Sequence, residues 1–163
     1  IQNKNLSKVI VDLRDNPGGY LTSSIDVASL FIPDGVIVQE QDRDGDVNKM
    51  STTHIPRLKD VKLVVLINGG SASASEIFAG AMQDHKKGTI IGEKSFGKGS
   101  VQTLEKLEDG SQIKITIAKW LTPDGRAIDK QGISPDIEVK MSDDDKNTDN
   151  DIQLQKAIEE VNK

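Results

Sequence analysis

The first half of the chain alternates short apolar runs with turn residues and one stretch of helical spacing. Val9–Leu13 is a β-branched run that predicts a strand, and it ends at the turn-forming segment Arg14–Gly19. Apolar residues then recur every three or four positions and predict a helix. They are Leu21, Ile25, Ala28 and Phe31. Val36–Val38 begins another strand, and the polar stretch Gln39–Asp60 predicts a surface excursion or a hairpin.

The second half begins with the most apolar run in the chain, Val61–Ile67, which predicts a strand buried on both faces. A helix follows, and we expect Lys86 and Lys87 in its last turn. Its predicted inner stripe consists of Ala74, Ile77, Phe78, Ala81 and Met82. Thr89–Ile91 predicts a further strand, and Asp109–Gly110 the turn of a hairpin. Strands that alternate with helices favour an α/β layered fold.

The last part of the chain differs from the rest in composition. We expect a core over residues 1–141, an acidic linker over 142–151 and a closing amphipathic helix over 152–163. The predicted inner residues of that helix are Ile152, Ala157, Ile158 and Val161. The acidic run Asp143–Asp145 is more typical of a solvated linker than of a calcium loop, so we predict no metal there.

Composition narrows the class of protein. With 163 residues, 35% of them hydrophobic and 29% charged, the chain has the length and composition of one globular domain. A net charge of −5 argues against a nucleic-acid interface, which needs clustered cations. The absence of cysteine excludes disulfides, thiol nucleophiles and thiolate metal sites. The first residues form no charged-then-apolar leader, and we expect the sequence to be part of a longer protein.

Three glycine-containing loops follow predicted strands, and such loops converge beyond the carboxyl ends of strands in α/β sheets. The middle loop, Asn68–Ser73, leads into a helix whose free N–H groups can stabilise a developing oxyanion. Ser71, Ser73 and Ser75 are all candidate nucleophiles there, and spacing does not choose among them. Ser73 with Glu76 also fits a capping box, a purely structural role.

A serine needs a base to become nucleophilic. His54 lies in the polar excursion, and His85 lies near the far end of the helix, too distant from Ser73 for a triad. Lys98, between two glycines, can serve instead if burial lowers its pKa, and Gln102 could orient its amine. A solvated surface position is the alternative interpretation of Lys98.

The same lysine belongs to a partial phosphate-binding motif. Gly92–Lys98 matches the first seven positions of a P-loop, but Gly99 stands where serine or threonine should hold magnesium. The following segment predicts a strand rather than the helix that the motif requires. We therefore expect neither a nucleotide nor any other cofactor.

Taken together, the loops resemble the C-terminal processing peptidases, also called tail-specific proteases. The resemblance lies in Val11–Gly19, Asn68–Ile77 and Gly92–Gln102, followed by Leu121–Arg126 and Gly132–Asp136, all in the family's order. It extends from about residue 8 to residue 139. Each motif is weak alone, but the ordered set is highly specific.

The resemblance implies a serine endopeptidase on a crotonase/Clp-protease-like α/β core. Ser73 would be the nucleophile, Lys98 the general base and Gln102 the residue that orients it. The backbone N–H groups of Gly19 and Ala74 would form the oxyanion hole. Proteins or peptides would be the substrates, cleaved near their C-termini outside the cytoplasm by a membrane-anchored or secreted parent of bacterial type. The resemblance also implies that the protein can form a homo-oligomer.

The resemblance also implies parts that this sequence does not contain. Members of the family carry a peptide-binding PDZ domain and further core segments before the strand matched at Val9. We therefore expect the chain alone to be weakly active or inactive. A non-catalytic peptide-binding or scaffold module on the same fold is the alternative, and an acyl-CoA-type enzyme on that fold is a third hypothesis.

Overall fold

The computed structural model describes residues 7–142, 145 and 150–163. The elements in chain order are β1 (Lys8–Asp12), α1 (Leu21–Ser29), β2 (Val36–Asp42), β3 (Val47–Ser51), β4 (Lys62–Ile67), α2 (Ala74–Asp84), β5 (Gly88–Gly92), β6 (Ser100–Lys106), β7 (Gln112–Leu121), β8 (Ile137–Glu138) and α3 (Ile152–Asn162). The predicted α/β class is confirmed. Most of the expected linker, including Asp143 and Asp144, lies outside the described residues.

The first sheet is parallel, with strand order β1-β4-β5-β8. Val9 pairs with Leu63 and Val64 with Thr89, which places β4 in the interior of the sheet. Leu63–Ile67 is almost inaccessible to solvent, as the apolar run predicted. Alternate residues of a strand point to opposite faces. Leu63, Val65 and Ile67 thus join one core cluster, and Val64 and Leu66 another.

Helices α1 and α2 cover one face of this sheet. Phe31 and Phe78 meet edge to face with ring centroids 6.0 Å apart, a geometry that aromatic pairs favour. The Ser24 hydroxyl of α1 donates to the Ala74 carbonyl at the start of α2, at 2.9 Å. The two helices are therefore fixed to each other at the end where the glycine loops emerge. Helix α2 ends at Asp84, so Lys86 and Lys87 lie beyond its last turn, contrary to expectation.

Helix α3 covers the opposite face. Ala157 and Val161 are buried against Val64, Leu66 and Ile91. The prediction that Ile158 faces inward is wrong, since its side chain is 47% exposed. The buried face of α3 includes Gln153 instead, and the Gln153 amide donates to the Val139 carbonyl at 2.7 Å.

The Arg14 guanidinium anchors the start of this helix. It donates to Asp151 at 2.7 Å and to Asp12 at 2.6 Å. These contacts raise the pKa of Arg14 and lower that of Asp151. In the part of the chain that the structure describes, no helix is long and apolar enough to cross a lipid bilayer.

The second sheet is antiparallel, with order β3-β2-β7-β6. It contains two hairpins: β2–β3, which starts at Val36 and extends into the predicted excursion Gln39–Asp60, and β6–β7 around Asp109–Gly110, as predicted. Strand β2 follows α1 in the chain yet pairs with β7, Gln39 opposite Leu121, rather than with β1. The alternation of elements therefore predicted the class correctly but not which strands are neighbours.

Candidate active site

Three loops meet at the carboxyl edge of the parallel sheet, since β1, β4 and β5 run in the same direction. We name them the oxyanion loop (13–20, after β1), the serine loop (68–73, after β4) and the lysine loop (93–99, after β5). Hydrogen bonds join the first two, because Ser71 Oγ donates to the Leu13 carbonyl at 2.7 Å. The serine and lysine loops are also joined, by the Phe96 N–H donating to the Ser71 carbonyl at 3.0 Å.

Ser73 lies at a strained bend between the serine loop and α2. Its φ of 57° and ψ of −117° place a non-glycine residue at positive φ, a conformation that costs free energy and is concentrated at functional sites. An ordinary N-cap residue has extended backbone instead. The Glu76 half of the predicted capping box is present, because the Ser73 N–H donates to the Glu76 carboxylate at 2.8 Å.

The three serines that the sequence left open differ in accessibility. Ser71 is fully buried, and its hydroxyl is bound to the oxyanion loop. Ser75 is buried too, and its hydroxyl donates to the Asn16 carbonyl at 3.1 Å. Ser73 is only partly buried. Of the three, Ser73 thus presents the hydroxyl that a substrate can reach most easily.

The backbone N–H groups of Gly19 and Ala74 make no intramolecular hydrogen bond among the described residues. The oxyanion loop is pressed against the start of α2 at Gly18. A Cβ on Gly18 would lie 2.8 Å from Ser73 Cβ and 2.9 Å from the Ala74 nitrogen, and its φ is +102°. Asn16 holds the loop there, accepting the Ala72 N–H on its carbonyl at 3.0 Å.

A cavity of about 200 Å³ opens beside these two donors. Its apolar walls come from Val11 and Leu13 of the first strand and loop, Val27 of α1 and Phe78 of α2. A dry apolar cavity of about 150 Å³ can hold a benzene ring. The cavity beside Gly19 and Ala74 therefore has room for one aliphatic or aromatic side chain.

Lys98 is joined to the site by its backbone N–H, which donates to the Glu76 carboxylate at 2.9 Å. Its side chain is exposed, and no hydrogen bond joins it to Ser73 or Gln102, all three being described residues. Gln102 is exposed as well, and its amide donates to Thr116 Oγ1 across the β6–β7 hairpin at 3.3 Å. The flanking glycine is a packing requirement, since a Cβ on Gly99 would lie 2.1 Å from the Asp129 nitrogen.

Glu76 is the site residue whose role the sequence reasoning missed. It is fully buried, and each carboxylate oxygen accepts two hydrogen bonds. Oε1 accepts from Ser95 Oγ at 2.5 Å and from the Gly97 N–H at 2.6 Å. Oε2 accepts from the Ser73 N–H at 2.8 Å and from the Lys98 N–H at 2.9 Å. The capping pattern predicted the bond to Ser73, but no local pattern could show those to the lysine loop.

The histidines are engaged elsewhere. His85 is the C-cap of α2 and contacts the Val36 carbonyl at 2.7 Å, and His54 pairs with Asp26 at 3.2 Å. The P-loop alternative also fails, because Lys98 is followed after Gly99 by strand β6. Over the described ranges, the protein has no cluster of three or more potential metal ligands.

Comparisons with known proteins identify the family of the chain. The sequence profile of Peptidase family S41 matches residues 1–139. A "Probable CtpA-like serine protease" of Staphylococcus epidermidis is 46% identical over 138 residues, covering 83% of this chain and 28% of that protein. Its counterpart from Staphylococcus aureus is 41% identical over 161 residues, covering 87% and 32%. The chain thus spans less than a third of the length of these curated relatives.

A solved structure is similar over most of the chain. The photosystem II D1 C-terminal processing protease superposes with a TM-score of 0.81 at 38% sequence identity. The match covers 85% of this chain and 36% of that one. The layered α/β arrangement described above is therefore shared with a protease.

Proposed function

The chain belongs to Peptidase family S41, and on that premise we propose that it carries the catalytic core of a serine endopeptidase. Ser73 is the nucleophile, and the free N–H groups of Gly19 and Ala74 form the oxyanion hole. One observation carries the proposal: a partly exposed serine on a strained bend directly precedes Ala74, which together with Gly19 offers an unpaired backbone N–H and lines an apolar cavity. This combination suits acyl transfer, in which charge develops on a carbonyl oxygen.

In the proposed reaction Ser73 Oγ attacks the carbonyl carbon of the scissile peptide bond. Its proton passes to the neutral amine of Lys98, while the carbonyl electron pair moves to oxygen and is held by the two N–H donors. The oxyanion collapses, the C–N bond breaks, and Lys98 gives its proton to the leaving nitrogen. Water then hydrolyses the acyl-enzyme by the same steps. Each oxyanion donor contributes about 3 kcal/mol to such reactions.

The base must change its surroundings for this to occur. Lys98 is exposed in this structure, and only a neutral amine can accept the Ser73 proton. Bound substrate would cover the amine, and desolvation favours its neutral form. We propose that Gln102, which lies on β6 four residues after Lys98, then orients the amine.

The cavity indicates the kind of substrate. Its apolar walls favour a peptide with an aliphatic or aromatic side chain on the acyl side of the cleaved bond. One structural neighbour is named as a C-terminal processing protease, and we propose cleavage near the C-terminus for this protein too. We further propose an extracytoplasmic, membrane-anchored or secreted parent, with a PDZ domain and the capacity to form homo-oligomers.

The test is cleavage of an intrinsically disordered protein by the full-length protein that carries this chain. We expect wild type to cleave and Ser73→Ala to be inactive, with mass spectrometry of the products showing cuts near the C-terminus. Ser51→Ala is the control, since it removes an exposed hydroxyl on β3 and leaves the three loops of the site unchanged. Undiminished cleavage by Ser73→Ala would contradict the assignment.

A second function is favoured by one observation, the exposed amine of Lys98 with no bond to Ser73. A chain fixed in this state would bind peptides in the apolar cavity without cleaving them. The two functions separate in a paired assay of peptide binding and product formation. Binding without turnover in the full-length protein would favour the non-catalytic module.

A further inference from the structure

The buried carboxylate of Glu76 is more than a helix cap. A cap needs one acceptor for one or two local N–H groups, whereas this carboxylate accepts four donors from two segments of the chain. Ser73 is three residues away, but Ser95, Gly97 and Lys98 are 19 to 22 residues away. Such non-local bonds add nothing to the start of α2 and instead fix the position of the lysine loop.

One oxygen atom links the two proposed reacting residues. Glu76 Oε2 accepts both the Ser73 N–H, at 2.8 Å, and the Lys98 N–H, at 2.9 Å. The two backbone nitrogens therefore cannot lie farther apart than the sum of these distances. Hydrogen bonds to an ionised acceptor are stronger than neutral ones, and a buried charge needs all its partners. Losing either bond leaves the carboxylate undersatisfied, so the two loops are held together.

Ser95 fixes the other oxygen. Its hydroxyl donates to Glu76 Oε1 at 2.5 Å and accepts the Ile133 N–H at 2.7 Å. The Ser95 N–H also donates to the Ile133 carbonyl at 3.0 Å. The carboxylate cannot rotate without breaking these contacts. Ser95 therefore connects the carboxylate to the segment on which the lysine loop packs.

We propose that Glu76 is a positioning residue that couples the lysine loop to the strained bend at Ser73. Its carboxylate sets the backbone of Lys98 so that the amine, once covered, can reach Ser73 Oγ. The inference rests on the proposed function for its catalytic consequence, but the coupling of the two loops is a property of the folded chain. It can therefore be tested with and without turnover.

The first test measures amide hydrogen exchange in the chain itself. In Glu76→Gln, an NH₂ group replaces one acceptor and faces N–H donors, so we expect faster exchange in both the serine loop and the lysine loop. If exchange rises in only one of them, or in neither, the coupling is disproved.

A milder variant covers the case in which Glu76→Gln does not fold. Ser95→Ala removes a buried hydroxyl that makes two hydrogen bonds. Ser29→Ala is its control, because the Ser29 hydroxyl is also buried and hydrogen-bonded: it donates to the Ile25 carbonyl at 2.7 Å, accepts the Thr53 N–H at 3.0 Å and contacts Thr53 Oγ1 at 3.4 Å. We expect both loops to exchange faster in Ser95→Ala only. Equal exchange in the two variants would overturn the proposal.

The second test uses turnover by the full-length protein. If Glu76 positions the base, Ser95→Ala and Glu76→Gln lower kcat while KM stays close to wild type, by up to about 100-fold for Glu76→Gln, within the contribution of a general base. Ser29→Ala should keep wild-type kcat. An unchanged kcat in an active enzyme with loosened loops would disprove the positioning role. A wild-type protein without turnover would instead contradict the proposed function and leave the exchange result standing.

Discussion

The oxyanion side of the candidate site and the lysine side are built to different degrees. On the oxyanion side, Gly18 is pressed against Ser73, Asn16 holds the loop, and an apolar cavity lies beside free N–H donors. On the lysine side the backbone is fixed through Glu76, but the Lys98 and Gln102 side chains are exposed. The difference teaches that the half of the site proposed to stabilise charge is packed in the folded chain, whereas the half proposed to transfer the proton is fixed only through its backbone.

The surroundings of the two sides explain the contrast. The oxyanion side is enclosed by α1 and α2, which share the main core cluster. The lysine side continues into the β6–β7 hairpin, where Ile113, Ile115 and Ile117 are each more than 40% exposed. The Lys98 side chain is therefore open to solvent on that side, whereas the Gly19 and Ala74 N–H groups lie beside packed helices.

The largest expected loss of activity comes from a substitution on the lysine side. Lys98→Ala should reduce cleavage by the full-length protein by at least about 100-fold, because a general base contributes this much or more. Its thermal unfolding should stay close to wild type, since the side chain is exposed. Lys94→Ala, an exposed lysine in the same loop, is the control and should retain activity. Persistent cleavage in Lys98→Ala would mean that another group takes the Ser73 proton.

The next largest loss of activity is expected from a substitution on the oxyanion side. Gly18→Ala places a Cβ 2.6 Å from the Ala72 carbonyl oxygen at a φ of +102°, so the oxyanion loop must move. We expect kcat to fall by about 100-fold, comparable to the loss of an oxyanion donor. In Gly19→Ala the added Cβ meets nothing within 4 Å, so most activity should remain. Similar kinetics for the two variants would contradict a preassembled oxyanion side.

A smaller effect is expected at the cavity. Val27 lines it and is 45% exposed, so Val27→Trp can fill the space without overpacking the core. Cleavage after leucine or phenylalanine should fall by about 10-fold and cleavage after alanine by less, as a peptide library would show. Val47→Trp, at an exposed valine of β3, should leave the preference unchanged. A uniform loss across all peptides would argue that the cavity does not select the side chain.

The smallest effect lies away from both sides, at the Arg14–Asp151 pair. The pair lowers the pKa of Asp151, so its stabilisation is present at neutral pH and is lost as pH falls below about 4. Asp151→Asn keeps a capping side chain and should lower Tm by about 2 °C at pH 7, since a partly exposed ion pair contributes about 0.5 kcal/mol. Once the pH lies below the lowered pKa of Asp151 in the folded protein, the two proteins should unfold together. A difference that persists there would point to the cap and not to the charge.

The helices, strands and glycine loops could be predicted from the sequence because each depends on residues that are close together in the chain. The apolar run of β4 and the glycines of the oxyanion loop dictate burial and backbone conformation where they stand. Other features depend on which surfaces meet in three dimensions. These are the pairing of β2 with β7 and the burial of Gln153, rather than Ile158, on the inner face of α3. The four bonds of Glu76 are of the same kind. For Gln102, the family resemblance implied that it orients Lys98, and in this structure its amide donates to Thr116 Oγ1 instead.

Strand β4 has a mechanical consequence for the nucleophile. Its side chains enter both clusters, one under α1 and α2 and one under α3, and the serine loop is its direct continuation. A local opening that frees Ser73 at its root must therefore disrupt two packed layers at once, which places this segment among the last to come apart. Fraying at the β6–β7 hairpin can proceed without it, so the surroundings of Lys98, the proposed base, can rearrange while Ser73, the proposed nucleophile, stays where folding put it.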